Sequence, residues 1–361
     1  MVSVIIPVYQ VSDYIERCIR SVMSQTTTDI ECIIVDDATE DDSIVKCERL
    51  IKEYNDNVNL DHNLDHNLDH NLDHNLDHNL DHNLDGKGRI RFKILHHEMN
   101  RGLSAARNTG TKAATGEYVF YLDSDDEMTP DCMEKMMLMA EKYPEAEMVI
   151  GGHQTIENGN VKSFLKSELP DYVASNEKIV SLYYNQSISS FAWNRLMKRS
   201  FIEEHQLYFI EGIIYEDDIW MFNVIKHLSL LAVINEVTYH YCKRPGSITT
   251  SHYELRKGES FIIIYSEILN NLTSGRENKD LERYVAGFCK CYLDYKSSIP
   301  EYHHLYRVYR ECSKLYDCWS VYLILVTIRI IGYFGNPSGI LECLNALRWK
   351  WKQMTISVKT I

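Results

Sequence analysis

The chain has 361 residues, 45% of them hydrophobic, and a formal net charge of −14. That size predicts one large domain with an extension, and the acid excess argues against nucleic acid as the main partner. Ten cysteines without a C-x-x-C pair fit free thiols rather than a disulfide scaffold, and the opening Met1-Val2-Ser3-Val4-Ile5-Ile6-Pro7 lacks the basic segment of a secretory signal.

Val2–Val8 reads as a buried strand that Pro7 ends, with Tyr9 at its carboxyl end. Ser12 is expected to cap a helix whose inner face carries Ile15, Ile19, Val22 and Met23. Ile30–Val35 predicts a second strand, ending in Asp36 and Asp37, and then a helix with Ile44, Cys47 and Ile51 inward. This alternation predicts a parallel, doubly wound sheet with right-handed crossovers. A carboxylate at such a strand end can accept from a nucleobase N–H or a ribose hydroxyl; a solvated turn is the plain alternative.

From Asn59 to Asp85 the chain repeats Asn-Leu-Asp-His six times and then truncates. In a helix this unit would drift ~40° per repeat and set His62, His66, His70, His74, His78 and His82 four apart, a spacing able to bind a transition metal. Three residues in four are polar, and excising the tract leaves a connection of ordinary length. A passive insertion, mobile or marginally helical, is therefore expected.

Arg89–Leu95 predicts the third strand. Asn100–Gly110 opens a helix whose Ala106, Gly110 and Ala113 can press on the sheet, with Gly116 as the residue after its end. Arg107 lies in the first two turns, within reach of a phosphate or of a strand-end Asp. Tyr118–Leu122 is a short apolar strand that stops at Asp123-Ser124-Asp125-Asp126, ahead of Thr129-Pro130 as helix cap and first turn. Open α/β sheets bind ligands at the carboxyl ends of their strands. Oxygen-only donors such as Asp123 and Asp125 favour Mg²⁺ or Mn²⁺, ions that share their coordination with phosphates. Alone, the D-x-D is a weak signal and reads first as an acidic turn capping the next helix.

Taken together, Ser3–Tyr9, Ile34-Val35-Asp36-Asp37, Asn100–Gly110 and Tyr121–Asp126 resemble, in order and spacing, the family 2 glycosyltransferases of bacterial capsule, exopolysaccharide and lipopolysaccharide synthesis. The resemblance covers residues 1–150 apart from the repeat, and runs more loosely to about 250. It implies the GT-A fold: α/β, Rossmann-like, with a mostly parallel central sheet flanked by helices, here followed by a mainly helical C-terminal region. It also implies a donor half at 1–150, interrupted at 59–85, an acceptor half at 151–250 and the helical region at 251–361. Pro7, Val8, Tyr9, Asp36 and Asp37 would bind the base and ribose of a nucleoside-diphosphate sugar, with Arg107 on the same side. Asp123 and Asp125 would hold its diphosphate through Mg²⁺ or Mn²⁺. Glu211–Phe222 is similar to the family's E-D motif, which makes Asp217 the expected catalytic base and places Glu216 beside the acceptor. Trp193 would be part of an acceptor platform, and Lys243 or Arg244 would close on the diphosphate, with His240 near the metal.

Residues 255–316 keep helical spacing. The apolar run 319–334 is 16 residues long with Arg329 inside, short of the ~20 needed to span a bilayer. Residues 305–361 hold eight Lys and Arg against three Asp and Glu, and Arg348-Trp349-Lys350-Trp351-Lys352 mixes aromatic and basic residues as interfacial segments do. The expectation is a cytoplasmic enzyme resting on the inner membrane face, transferring to a saccharide or polyprenyl-linked saccharide. A buried dimer-interface helix is the other reading of that tail. A polyprenyl-phosphate glycosyltransferase and a metal-binding protein built on the His repeat are the competing functions.

Overall fold

The computed structural model describes residues 1–27, 29–69, 90–157, 160–164 and 169–244, together with Ser260 and Ile264. In chain order the elements are β1 (Val2–Val8), α1 (Ile15–Met23), β2 (Ile30–Asp36), α2 (Ser43–Asp69), β3 (Arg91–His96), α3 (Leu103–Ala113), β4 (Tyr118–Tyr121) and β5 (Glu127–Met128). There follow α4 (Cys132–Lys142), β6 (Met148–Glu157), β7 (Asn160–Phe164), β8 (Tyr172–Val173), α5 (Asn176–Tyr184), β9 (Arg195–Lys198), α6 (Arg199–Glu204), α7 (Glu216–Ile225) and β10 (Leu231–Cys242).

One mixed sheet in the order β3-β2-β1-β4-β9-β6-β10-β5 carries the molecule. β3, β2, β1 and β4 are parallel, as is the long β10–β6 pair, so most paired residues are in parallel register. β9 is antiparallel to both β4 and β6 and joins the two parallel blocks. The expected α/β sheet is present, and the reason is visible in β1, whose seven residues are all buried. Strands covered by helices on both faces must be apolar throughout. α3 lies close on this layer: a Cβ at Gly110 would stand 2.4 Å from Cγ2 of Ile5.

Three expected caps are corrected. α1 begins at Ile15 behind Tyr14, without a side-chain cap, and the Ser12 N–H reaches Oδ2 of Asp41 at 2.9 Å. α4 begins after Asp131, whose Oδ1 accepts from the Thr129 hydroxyl at 2.8 Å, so Thr129 ties the turn rather than capping the helix. α3 ends at Ala113, and Gly116 is small for another reason: a Cβ there would lie 2.6 Å from Oγ of Ser3. Glu31 anchors this corner by accepting from Gly116 N–H at 2.9 Å and the Thr115 hydroxyl at 2.9 Å.

The chain divides into two compact units. The first, Met1–Tyr183 with Ser187–Leu272, contains the whole sheet, so both expected halves, 1–150 and 151–250, fall inside it. The second comprises Tyr184–Gln186 and Thr273–Ile361. α2 continues through the first repeats to Asp69. The later repeats, the segment after Arg244 apart from Ser260 and Ile264, and the expected membrane-facing tail lie outside the described residues. No helix among the described residues is long and apolar enough to cross a membrane.

Candidate active site

Because β1, β2 and β4 run parallel, their carboxyl ends share one edge, which brings Tyr9, Asp36-Asp37 and Asp123–Asp126 to the same rim. Of the residues expected near the base, Pro7 and Val8 are buried in the strand, while Tyr9 is 41% exposed. Asp37 is held from several sides. Its Oδ1 accepts from Arg101 N–H at 2.8 Å and meets Nδ1 of His97 at 2.7 Å, and its Oδ2 accepts from Gly102 N–H at 2.7 Å. Asp37 therefore braces the turn into α3. Asp36 accepts from Thr39 N–H at 2.9 Å and meets Nδ1 of His96 at 2.9 Å.

Arg107 is the junction of the site. It is 1% exposed, and its guanidinium reaches Oδ1 of Asp123 at 2.8 Å, Oε1 of Glu216 at 2.8 Å and Oδ1 of Asp217 at 2.7 Å. Of the two partners expected for it, a phosphate or a strand-end Asp, it meets the second, and it also joins the D-x-D strand end to the first turn of α7. The ring of Phe209 lies under its Cζ at 5.1 Å and stacks on Trp220 at 4.7 Å. The neighbouring Asn108 fixes Phe209 in turn, donating to its carbonyl at 2.9 Å and accepting from its N–H at 2.8 Å. The Ala-Arg-Asn run in α3 thus supplies both the cation and its floor.

Burial dominates the electrostatics. It pushes Glu216 up to about 8, with Asp217 adding to the rise and Arg107 opposing it. Asp217 is also raised by burial, against the pull of Arg107. Asp218 is raised to about 6 by burial, although it takes a hydrogen bond from Ser190. α7 itself starts from Tyr215 in the left-handed region, at φ 61°, a conformation that costs energy outside glycine and turns the acids inward.

The D-x-D turn is built by β10. Tyr239 donates its hydroxyl to Oδ2 of Asp126 at 2.8 Å and accepts from Asp123 N–H at 3.2 Å, and the Cys242 N–H donates to Oδ1 of Asp126 at 2.7 Å. Asp126 is thus the buried tie of the turn, its acidity weakened first by burial and then by Asp125 and Asp123. Asp125 is raised by burial and by Asp123, and Nε of Arg244 lies 2.5 Å from its Oδ2. Arg244 rests over Tyr14 at 5.1 Å, while Lys243 faces Glu157 at 3.7 Å.

Two carboxylates that repel, with oxygen as the only donor type, fit a hard divalent cation. Among the described residues no group of three His, Cys, Asp or Glu is gathered so as to hold a metal ion by itself. Such a pair therefore suits an ion that completes its shell with water and substrate phosphates.

Around Trp193, the residue expected to meet an acceptor, stands an aromatic stack that no spacing in the sequence revealed. Trp193, the expected platform, is 5% exposed and stacks on Tyr239 at 4.6 Å and Phe191 at 4.6 Å. Phe191 is the exposed member of that stack, at 38%. Arg195, 3% exposed, donates to the carbonyls of Ser189 and Phe191, and the Ala192 N–H donates to Oδ2 of Asp217 at 3.2 Å.

The model of the glycosyl transferase family 2 matches residues 3–68 and 80–206, skipping only the middle of the repeat. The glycosyltransferase GlyG of Streptococcus pneumoniae serotype 4 is 24% identical over 313 residues, 84% of this chain and 90% of its own. Among solved structures, Staphylococcus aureus TarS 1-349 in complex with UDP-GlcNAc shares the fold with a TM-score of 0.61 at 16% identity, over 98% of this chain and 91% of that one. The mannosyltransferase PcManGT of Pyrobaculum calidifontis, in complex with GDP-Man and Mn²⁺, gives a TM-score of 0.50 at 13% identity over 91% and 86%. With more than half of its residues inside the family match, the chain belongs to glycosyl transferase family 2, enzymes that transfer a glycosyl group.

Proposed function

We propose that this glycosyltransferase is metal-dependent and inverting, and takes a sugar from a UDP-sugar to a hydroxyl of a saccharide or lipid-linked saccharide in cell-surface polysaccharide synthesis. The observation that carries the proposal is the bridge made by Arg107. One guanidinium contacts Asp123 of the D-x-D pair at 2.8 Å and Asp217 of the acidic helix start at 2.7 Å. A donor held at the first and an acceptor deprotonated at the second would meet across a single side chain.

Asp123 and Asp125 would hold Mg²⁺ or Mn²⁺, which supplies positive charge to the departing nucleoside diphosphate. The complexes of the two structural relatives, one with UDP-GlcNAc and one with GDP-Man and Mn²⁺, support a nucleotide-sugar donor and a divalent ion. Tyr9, Asp36 and Asp37 stand at the strand ends where the base and ribose would lie, and Arg244, now on Asp125, is placed to turn to the diphosphate. Asp217 takes the proton of the acceptor hydroxyl. Its raised pKa is an asset here, since a base held nearer the working pH is the stronger proton acceptor, and a positioned base contributes ~10²–10⁴-fold. Glu216, raised to about 8 by burial, adds less negative charge to the pocket below that pH than an ordinary glutamate would. The basic, aromatic tail would bring the enzyme to the inner membrane face, where a lipid-linked acceptor is found.

A panel of nucleoside-diphosphate sugars, read by thermal shift with and without Mn²⁺, tests the donor side. Stabilisation by one donor only with the ion present is the expected result, and no donor-dependent stabilisation would overturn the proposal. Asp217→Asn tests the base: transfer should fall ~10²–10⁴-fold, and survival of activity would remove Asp217 from that role.

A further inference from the structure

We infer that Phe191 is the surface on which the acceptor's sugar ring stacks, and that the Ser189–Ala192 turn fixes that ring relative to the base. The inference rests on the transferase reading above and names its acceptor class: a pyranose presenting a C–H face, not a lipid phosphate. Trp193 cannot serve directly, because it is buried behind its neighbours. Its planes are 11° from Phe191, 10° from Tyr239 and 8° from Tyr241. His153 stands edge-on to both Phe191 and Trp193, at 6.1 Å and 5.0 Å. The Phe191 ring is therefore backed on one face and steadied at its edge, and its 38% exposure belongs to what remains. An aromatic face carries negative charge density that attracts the polarised C–H bonds of a sugar.

The backbone makes this a device rather than a stray aromatic. Phe191 C=O and Ala192 N–H belong to one peptide plane. Its oxygen accepts from Nε of Arg195, and its N–H donates to Oδ2 of Asp217 at 3.2 Å. A peptide is planar and stiff, so the stacking ring and the base carboxylate are set on either side of one rigid unit. Arg195 also donates to the Ser189 carbonyl and to its hydroxyl at 3.2 Å, and the Ser190 side chain hydrogen-bonds to Asp218. The turn is thereby fastened to the two acids that follow Glu216, Asp217 and Asp218. Holding the reacting groups at fixed separation is itself a source of rate.

The test uses the full chain with UDP and Mn²⁺, and methyl β-D-glucopyranoside, methyl β-D-galactopyranoside and methyl α-D-mannopyranoside as probes. Saturation-transfer NMR should show protein contact concentrated on the C–H protons of one sugar face in the wild type and in Phe191→Tyr. In Phe191→Ala that signal should fall about fivefold, and in transfer assays the KM for the best glycoside should rise about tenfold with kcat changed far less. The Kd for UDP by calorimetry should stay within about twofold, the mark of an intact donor side. Phe191→Ala that keeps the glycoside signal and KM, or a wild type that contacts none of the three glycosides, overturns the inference. Loss of UDP affinity in Phe191→Ala would do so too, by showing that the ring only supports the fold. A wild type that binds no nucleotide sugar would instead strike at the transferase proposal, and the glycoside comparison would still be read on the unloaded protein.

Discussion

Replacing Arg107 with Met removes the guanidinium that Asp123, Glu216 and Asp217 share at 2.7–2.8 Å and keeps most of the volume over Phe209. Stripping one partner from a buried ion pair costs ~3–5 kcal/mol, because the remaining charge is stranded. At about 2–4 °C per kcal/mol for a unit of this size, the melting temperature should drop by ~6–20 °C. The drop should depend on pH. Without the cation, burial and mutual repulsion drive Glu216 and Asp217 further up. An acid whose folded pKa exceeds its unfolded value weakens the fold above that folded pKa and not below the unfolded one. The deficit should therefore be largest near about pH 8.5 and shrink toward about pH 5.5, as followed by circular dichroism melts. Arg107→Lys retains charge but not the forked geometry, and should fall between. In the Met variant the acid limb of kcat/KM should move to higher pH, because Asp217 loses its closest stabilising cation; a purely structural arginine would leave the profile in place. A Met variant melting within about 3 °C of wild type, or with equal deficits at both pH values, would refute the reasoning.

Glu216, raised to about 8 by burial, should make the wild type lose stability as pH rises from the ordinary glutamate range to that value, and Glu216→Gln should flatten this part of the melting curve against pH. Asp125→Asn should abolish the Mn²⁺-dependent part of donor stabilisation in thermal shift. Gly110→Ala would set a Cβ 2.4 Å from Cγ2 of Ile5. Overpacking of ~1–3 kcal/mol should outweigh the ~1 kcal/mol gained in helix propensity, so urea unfolding should show net destabilisation. Deleting residues 71–82, three whole repeats, should leave transfer within about twofold of wild type, since surface insertions carry little energetic weight; a larger loss would give the tract a part in catalysis.

The parallel strands of residues 1–122 were legible because their signals are local. Apolar runs such as Ile30–Val35, closed by acids, specify covered parallel strands and their ends, and the sheet found around β1 follows from them. Caps were misread at Ser12, Thr129 and Gly116, where contacts with distant residues override local preference: Asp41 takes the Ser12 N–H, Asp131 takes the Thr129 hydroxyl, and Ser3 leaves no room beside Gly116. Asp123, Glu216 and Asp217 stand out in the sequence as acids at element ends, but their common partner does not. Arg107 is 110 residues from Asp217, and such a separation leaves no periodic trace. Trp193 and Phe191 show the same limit. Composition names both as aromatic, and only the packing of Tyr239 and Tyr241 decides which is covered.

β3 is the outermost strand of the described sheet, and the Asn-Leu-Asp-His tract enters the chain immediately before it. Tandem units of this kind change in number when genes are copied, whole units at a time. Entering the chain just before the edge strand, such length variation leaves the residues of the strand ends and of α7 unchanged. The same margin is a natural port for inserting a fluorescent or affinity module without altering either end of the chain.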